Sequence, residues 1–291
     1  VETSDPIYLD AAELAVRTAG RTAGLRLAGL YAAGDLGGLS RPAVAVVGTR
    51  APSDAGRRAA LRLGEALARA GVCVVSGLAL GIDAAAHRGA LAGGTPTVGV
   101  LGGGHRRFYP PANRELARHI VAAGGAVVSP FPPDHPAFPS QFLQRNAVIA
   151  ALADAVVVVE AAARSGSLNT AAWAADAGKP VLAFPGDVER PKVAGCLALI
   201  RDGAVLVRDA EDVLAALPAA VLPAAPPAPA RYAGKTELER SILGALREGE
   251  RDVEGLLAVL AAAPGPVLAA LADLELAGAV ERRDGRRFAL V

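Results

Sequence analysis

Asp83 and His87 stand four residues apart in SGLALGIDAAAHRGAL, residues 76–91. A carboxylate and an imidazole at that spacing share one helix face and could work as an acid–base or metal-binding pair. A metal would need further ligands, and His105, His119 and His135 show no spacing that supplies them. Acid–base catalysis would need a nucleophile or a second carboxylate at a telling separation, and the sequence offers neither. Asp83 instead lies near a helix start, where a carboxylate caps amides and favours the positive end of the dipole. His87 can then hydrogen-bond Asp83 or a loop carbonyl. The pair is expected to brace a loop, and no catalytic residue, metal or cofactor is assigned.

Other residues suit anion binding. One apolar run ends in Gly48-Thr49-Arg50, a second in Ser76-Gly77 and a third in Gly102-Gly103-Gly104, while a further run leads through Glu160 to Arg164-Ser165-Gly166-Ser167. Glycine lets a backbone approach an anion, and helix N-terminal amides with Ser or Thr hydroxyls bind phosphate oxygens. Neither GxGxxG in the first turn nor a Walker lysine motif is present. In PAFPSQFLQRNAVIAALAD, residues 136–154, Arg145 and Asn146 follow Phe142 at helical spacing. A ring beside a guanidinium suits single-stranded nucleic acid, the base stacking while the cation holds a phosphate. The competing expectation is that Phe142 is ordinary core and the glycines only make turns.

These residues need a frame. From residue 43, β-branched runs (AVAVVG, VCVVSG, TVGVLG, AVVS, AVVVVE, PVLAF, AVLV) alternate with alanine-rich helical segments. Apolar strands each followed by a helix imply a Rossmann-like, doubly wound, mostly parallel α/β sheet covered on both faces. Ligands of such sheets bind outside the carboxyl ends of the strands, where the glycine turns fall. The stretch 218–235 is rich in proline and alanine and reads as a semi-rigid linker. Beyond it come three short helical patterns and a hairpin signal at Asp284-Gly285, the layout of a small winged helix. The expected domains are a helical lead-in over 1–42, the Rossmann-like domain over 43–217, the linker, and the winged helix over 236–291. Residues 1–23 are weakly helical in pattern and stay unassigned.

Composition narrows the classes. Hydrophobic residues make up 52% of the 291, yet no apolar run approaches the ~20 residues that span a bilayer. Two cysteines, Cys73 and Cys196, give no disulfide framework. The expectation is a soluble cytoplasmic protein. The chain starts at Val1 and contains no methionine, so either the start codon is read literally or the N-terminus is trimmed. A net charge of +1 argues neither for nor against nucleic acid, because a balanced total can hide a basic groove.

Together the motifs resemble the DprA/Smf family of DNA-processing proteins. The resemblance rests on VAVVGTR (44–50), SGLALGIDAAAHRGAL (76–91), VLGGGHRRFYPPAN (100–113), FLQRNAVIA (142–150) and VVVVEAAARSGSLNTAAWAADAGKPVLAFPG (156–186), with GLYAAGDLGGLSRP (29–42) preceding them. It implies a homodimer through the Rossmann region that binds single-stranded DNA without reading sequence and loads RecA recombinase onto it, in natural transformation or repair. Carried over by motif, Arg50, Phe142, Arg145, Asn146, Gly166 and Ser167 line the DNA groove. Gly48, Thr49, Ser76 and Gly77 join them from the glycine turns, and Arg164 joins by position.

The sequence departs from the family pattern at Leu143 and Ala147, where proline and arginine are usual, and at Pro130 and Leu197. A rival reading is a phosphoribohydrolase-like enzyme of the related nucleotide-binding group. That group carries a glutamate after its glycine turn, whereas here Glu160 precedes the turn. The winged helix is expected not to read bases, since its candidate recognition helix, GPVLAALADLELAG, has only Asp273 and Glu275 as charges. Its wing holds Arg282, Arg283, Arg286 and Arg287.

Overall fold

The computed structural model describes residues 5–22, 28–218, 236–247, 249–276, 279–283 and 287–290. The chain divides into two compact units, Val1–Pro223 and Ala224–Val291. Residues 219–235 of the expected linker lie outside the described residues, as does the Asp284-Gly285 turn.

The strands of the first unit are β1 (Ile7–Asp10), β2 (Gly29–Gly34), β3 (Ala43–Val47), β4 (Cys73–Ser76), β5 (Val98–Val100), β6 (Ala126–Ser129), β7 (Ala155–Val158), β8 (Val181–Ala183) and β9 (Val205–Leu206). They form one sheet in the order β1-β2-β6-β5-β4-β3-β7-β8-β9. Pairing is parallel from β6 through to β9. Only β1 with β2 and β2 with β6 run antiparallel. The chain starts its parallel part at β3, steps outward through β4 and β5 to β6, then returns to β7 on the other side of β3. The order therefore reverses between β3 and β7, which opens a crevice at the carboxyl ends of those two strands.

The helices are α1 (Ala11–Arg17), α2 (Asp54–Arg69), α3 (Ile82–Gly93), α4 (Arg114–Ala122), α5 (Pro139–Leu152), α6 (Ser167–Asp176), α7 (Ala194–Arg201) and α8 (Ala210–Ala216). The AVAVV run of β3 shows why both faces must be covered. Ala43, Ala45 and Val47 pack into one core with Ile149 and Leu152 of α5, Ala171 of α6 and Cys196 of α7. Val44 and Val46 pack into a second core with Leu63 and Leu67 of α2, Ala86 of α3 and Val213 of α8. Alternate side chains of a strand point to opposite faces, so a run without polar alternation needs helices above and below. Cys73 and Cys196 are both buried free thiols, and burial pushes the Cys73 thiol up to about 12.

The second unit holds α9 (Glu237–Arg247), β10 (Arg251–Asp252), α10 (Val253–Leu260), α11 (Pro264–Leu276), β11 (Val280–Arg283) and β12 (Arg287–Leu290). Its sheet runs β10-β12-β11, with Arg283 opposite Arg287 and Val280 opposite Leu290. Ile242, Leu246, Leu256, Val267, Leu271 and Phe288 form its core. Among the described residues no single helix is long and apolar enough to cross a membrane.

Candidate nucleic-acid interface

A cleft of about 650 Å³ opens where the strand order reverses. Gly48, Thr49 and Arg50 leave β3 on one side of it, and Gly166 and Ser167 begin α6 on the other. Phe142, Arg145 and Asn146 reach it from α5. These eight predicted residues are thus brought together. Ser76, Gly77 and Arg164 do not line this cleft, although Gly77 borders a smaller niche beside it.

The turn after β3 is fixed by its backbone. The Thr49 amide donates to the Glu160 carbonyl (2.7 Å), and the Thr49 carbonyl accepts from the Ile82 amide (3.2 Å). Its outer side is propped by Lys192, whose Nζ donates to the Ala51 carbonyl (2.7 Å). Lys192 carries no motif, so sequence reasoning missed it. These bonds leave the Arg50 side chain exposed at the rim, its guanidinium 5.1 Å from the centre of the Phe142 ring.

Glu160 is not poised for chemistry. It is buried, and its carboxylate accepts from the Ser53 amide (3.1 and 3.2 Å) and the Ser53 hydroxyl (2.7 Å). Ser53 in turn caps α2 through the Gly56 amide (3.0 Å). The carboxylate therefore ties the start of α2 to the end of β7.

The floor is built around Asp83 and Arg145. Asp83 Oδ2 accepts from the amides of Gly77 (3.1 Å) and Ala79 (3.4 Å), bracing the loop between β4 and α3. Arg145 is 4% exposed, and its Nη1 donates to the carbonyls of Gly77 and Val100. Gly77 has no room for a side chain, since a Cβ there would lie 2.7 Å from both Arg145 Cζ and Asp83 Oδ2. Burial pushes the Asp83 carboxyl upward, a shift opposed by the Arg145 charge and the two amides. Burial also lowers Arg145 to about 10, which still leaves it charged at neutral pH. Arg145 Nε is buried without a partner among the described residues. The expected open phosphate grip is thus corrected: two carbonyls claim the guanidinium, and it acts on the cleft from below.

Ser76 needs a similar correction. It is fully buried, and its hydroxyl donates to the Val46 carbonyl (2.6 Å), which stitches β4 to β3. His87 does not bond Asp83. Its Nδ1 lies 2.9 Å from Thr97 Oγ1, and the Thr97 hydroxyl donates to the Val74 carbonyl. Burial pushes His87 down to about 3, so the ring is neutral. Among the described residues no group of three or more His, Cys, Asp or Glu side chains could hold a metal ion.

The rim is more open. Phe142 is half-buried and packs over Gly102, where a Cβ would come within 2.6 Å of the ring. The Arg145 guanidinium lies 5.7 Å from the ring centre. Asn146 Nδ2 donates to the Gly166 carbonyl (3.0 Å) and Asn169 Oδ1 (3.4 Å), tying α5 to the turn before α6. Gly166 is exposed, and a Cβ there would meet nothing within 4 Å. Ser167 is buried, its hydroxyl 2.8 Å from that of Ser165, while Arg164 is exposed outside the cleft lining. Tyr109 and Leu143 also line the cleft and are each 51% exposed. Tyr109 lies in a loop without periodicity. Its signal was an aromatic residue close after the triple glycine turn.

Residues 26–218 match the family model of DNA recombination-mediator protein A, and residues 223–286 match the DprA winged helix domain. The chain is 42% identical to a DprA protein of Mycobacterium tuberculosis over 84% of its own length and 63% of that relative. It is 43% identical to protein Smf of Escherichia coli, over 64% of this chain and 50% of that one. The chain thus spans less than two thirds of the length of either relative. Among solved structures, DprA of Streptococcus pneumoniae superposes with a TM-score of 0.62 at 39% identity, covering 66% of this chain and 67% of that one. DprA of Helicobacter pylori, whose structure concerns its single-stranded DNA binding mode, gives 0.58 at 29% identity over 64% of this chain and 84% of that one. A family match over most of the Rossmann-like unit, continued by a second match over the winged helix, places the chain in the DNA recombination-mediator protein A family, the DprA/Smf proteins.

Proposed function

We propose that the cleft at the strand reversal binds single-stranded DNA without reading sequence. The observation that carries this is the meeting of an exposed arginine, a half-buried aromatic ring and an open helix start in one cleft. Arg50 holds a phosphate. Phe142 stacks a base, which takes the ring face now covered by the Arg50 guanidinium. Gly48, Thr49 and Ser167 line the cleft around it, and the open helix start at Gly166 lets a phosphate approach the backbone. Asn146 sets the turn that presents Gly166, and buried Arg145 adds a fixed positive field beneath the ring.

On the family's pattern, the protein works in the cytoplasm as a homodimer through its Rossmann region and loads RecA recombinase onto the bound strand, in transformation or repair. We assign it no enzymatic reaction, and the engagement of Glu160 by Ser53 argues against a catalytic glutamate. A gel shift with oligothymidylate, with and without competing duplex, tests the binding. Loss of the shifted strand to equal duplex would end the single-strand reading. Loading is tested by following RecA filament growth on strands coated with single-strand binding protein. Growth no faster with the protein present would remove that role.

A further inference from the structure

Beside the cleft lies a shallow niche bordered by Arg50, Gly77, Leu80, Tyr109, Pro110 and Phe142. Its volume, about 30 Å³, admits little more than one water, so a flat ring would lie across it and not enter it. Two of its apolar side chains face solvent: Tyr109 is 51% exposed and Leu80 is 44% exposed. Large exposed apolar groups gathered at the mouth of a binding cleft mark a contact surface more often than a packing residue.

The niche is also held rigidly. Phe108 is buried beside Leu78, Leu101 and Leu116 and anchors the chain next to Tyr109. Asn113 Nδ2 donates to the carbonyls of Leu78 (2.9 Å) and Ala79 (3.0 Å), clamping the Tyr109 segment to the loop that carries Leu80. Leu78 sits in the left-handed region, φ 54°, with its side chain fully buried. A non-glycine residue keeps that conformation only where its surroundings impose it. The Tyr109 and Phe142 ring centres are 5.9 Å apart, with their planes at 60°. One flat ligand ring cannot lie against both at that angle, but two successive rings can.

We infer that Tyr109, backed by Leu80, is a second stacking platform that takes the base next to the one on Phe142. This rests on the reading of the cleft as a single-strand site and adds a base subsite to it. A stacking platform accepts any base, since every base has a π face, so the subsite lengthens the contact without making it sequence-specific.

The test measures oligothymidylate binding to the full chain and to Tyr109→Ala, Tyr109→Leu and Tyr109→Phe. Tyr109→Ala is expected to weaken binding roughly tenfold, as loss of one stacked base does, with the salt dependence unchanged because no phosphate contact is lost. Tyr109→Leu keeps apolar bulk without a π face and should bind as weakly as alanine. Tyr109→Phe should bind like the parent. On a strand of the same length made of abasic sites, parent and Tyr109→Ala should bind alike. Parental binding by Tyr109→Ala, or rescue by leucine, overturns the inference. If Arg50→Ala still weakens binding in that case, the cleft reading survives. If the parent itself fails to bind oligothymidylate, the cleft reading falls and takes the inference with it.

Discussion

On the floor of the cleft Arg145 is buried and gives Nη1 to two backbone carbonyls, whereas on the rim Arg50 is exposed and rests against the Phe142 ring. Asp83 on the floor is likewise spent on two amides, while Gly166 on the rim is open to solvent. The same chemistry thus serves two ends. Polar groups that can reach backbone become part of the scaffold, since a buried donor without a partner is costly. Groups that the scaffold holds outward remain available to a ligand. Floor substitutions should change stability first, and rim substitutions should change binding alone.

The largest effect is expected from His87, on the buried face of α3. Burial holds it near 3 while an unfolded histidine titrates near 6.5, so between those values the unfolded chain takes up a proton that the folded chain refuses. The stability of the neutral ring is present above the ordinary histidine range and is lost as pH falls, at up to about 1.4 kcal/mol per pH unit. Urea denaturation of the parent and His87→Gln from pH 7 to pH 4 should show a shallower acid decline in the variant. Parallel curves would show that His87 is not the group responsible.

Arg145→Leu should follow, at about 3 kcal/mol, because two buried carbonyls lose their donor and Asp83 loses its nearby cation. Thermal melts measure this loss, and a parental Tm would place Arg145 on the rim after all. Smaller effects are expected at the rim, where both variants should melt like the parent. Phe142→Ala should weaken oligothymidylate binding by about 1–3 kcal/mol with little change in salt slope. Arg50→Ala should weaken it and flatten the slope of log affinity against log salt by about 0.7 per lost phosphate contact. Identical salt slopes for the two would erase the distinction between cation and ring.

The smallest effect is expected from deleting residues 218–291. The only charges of α11, Asp273 and Glu275, repel phosphate, and Arg282 is already engaged by Glu275 (3.4 Å) and the Phe288 ring (5.0 Å). Most single-strand affinity should remain. A hundredfold loss at fixed salt would move the interface toward the winged helix.

The parallel sheet was legible because strands buried on both faces are written as unbroken β-branched runs. The antiparallel extension was not. β2 is GLYAAG, with little β-branched character, and it is defined by its pairing with β6 and β1. In the site, spacing placed Phe142 and Arg145 on adjoining turns of one helix, but spacing does not say which way a long side chain bends. That direction is set by the carbonyls of Gly77 and Val100, 68 and 45 residues away in sequence. Tyr109 was hidden for the converse reason, since exposure in a loop leaves no periodic trace.

The left-handed backbone of Leu78 bears on the heat of binding. A loop kept in that conformation by a buried side chain and an Asn113 clamp has its shape before any strand arrives. Association then orders little of the protein itself, and no large heat-capacity change of coupled folding accompanies it. What calorimetry would register is the dehydration of the rings and the release of counterions from the strand.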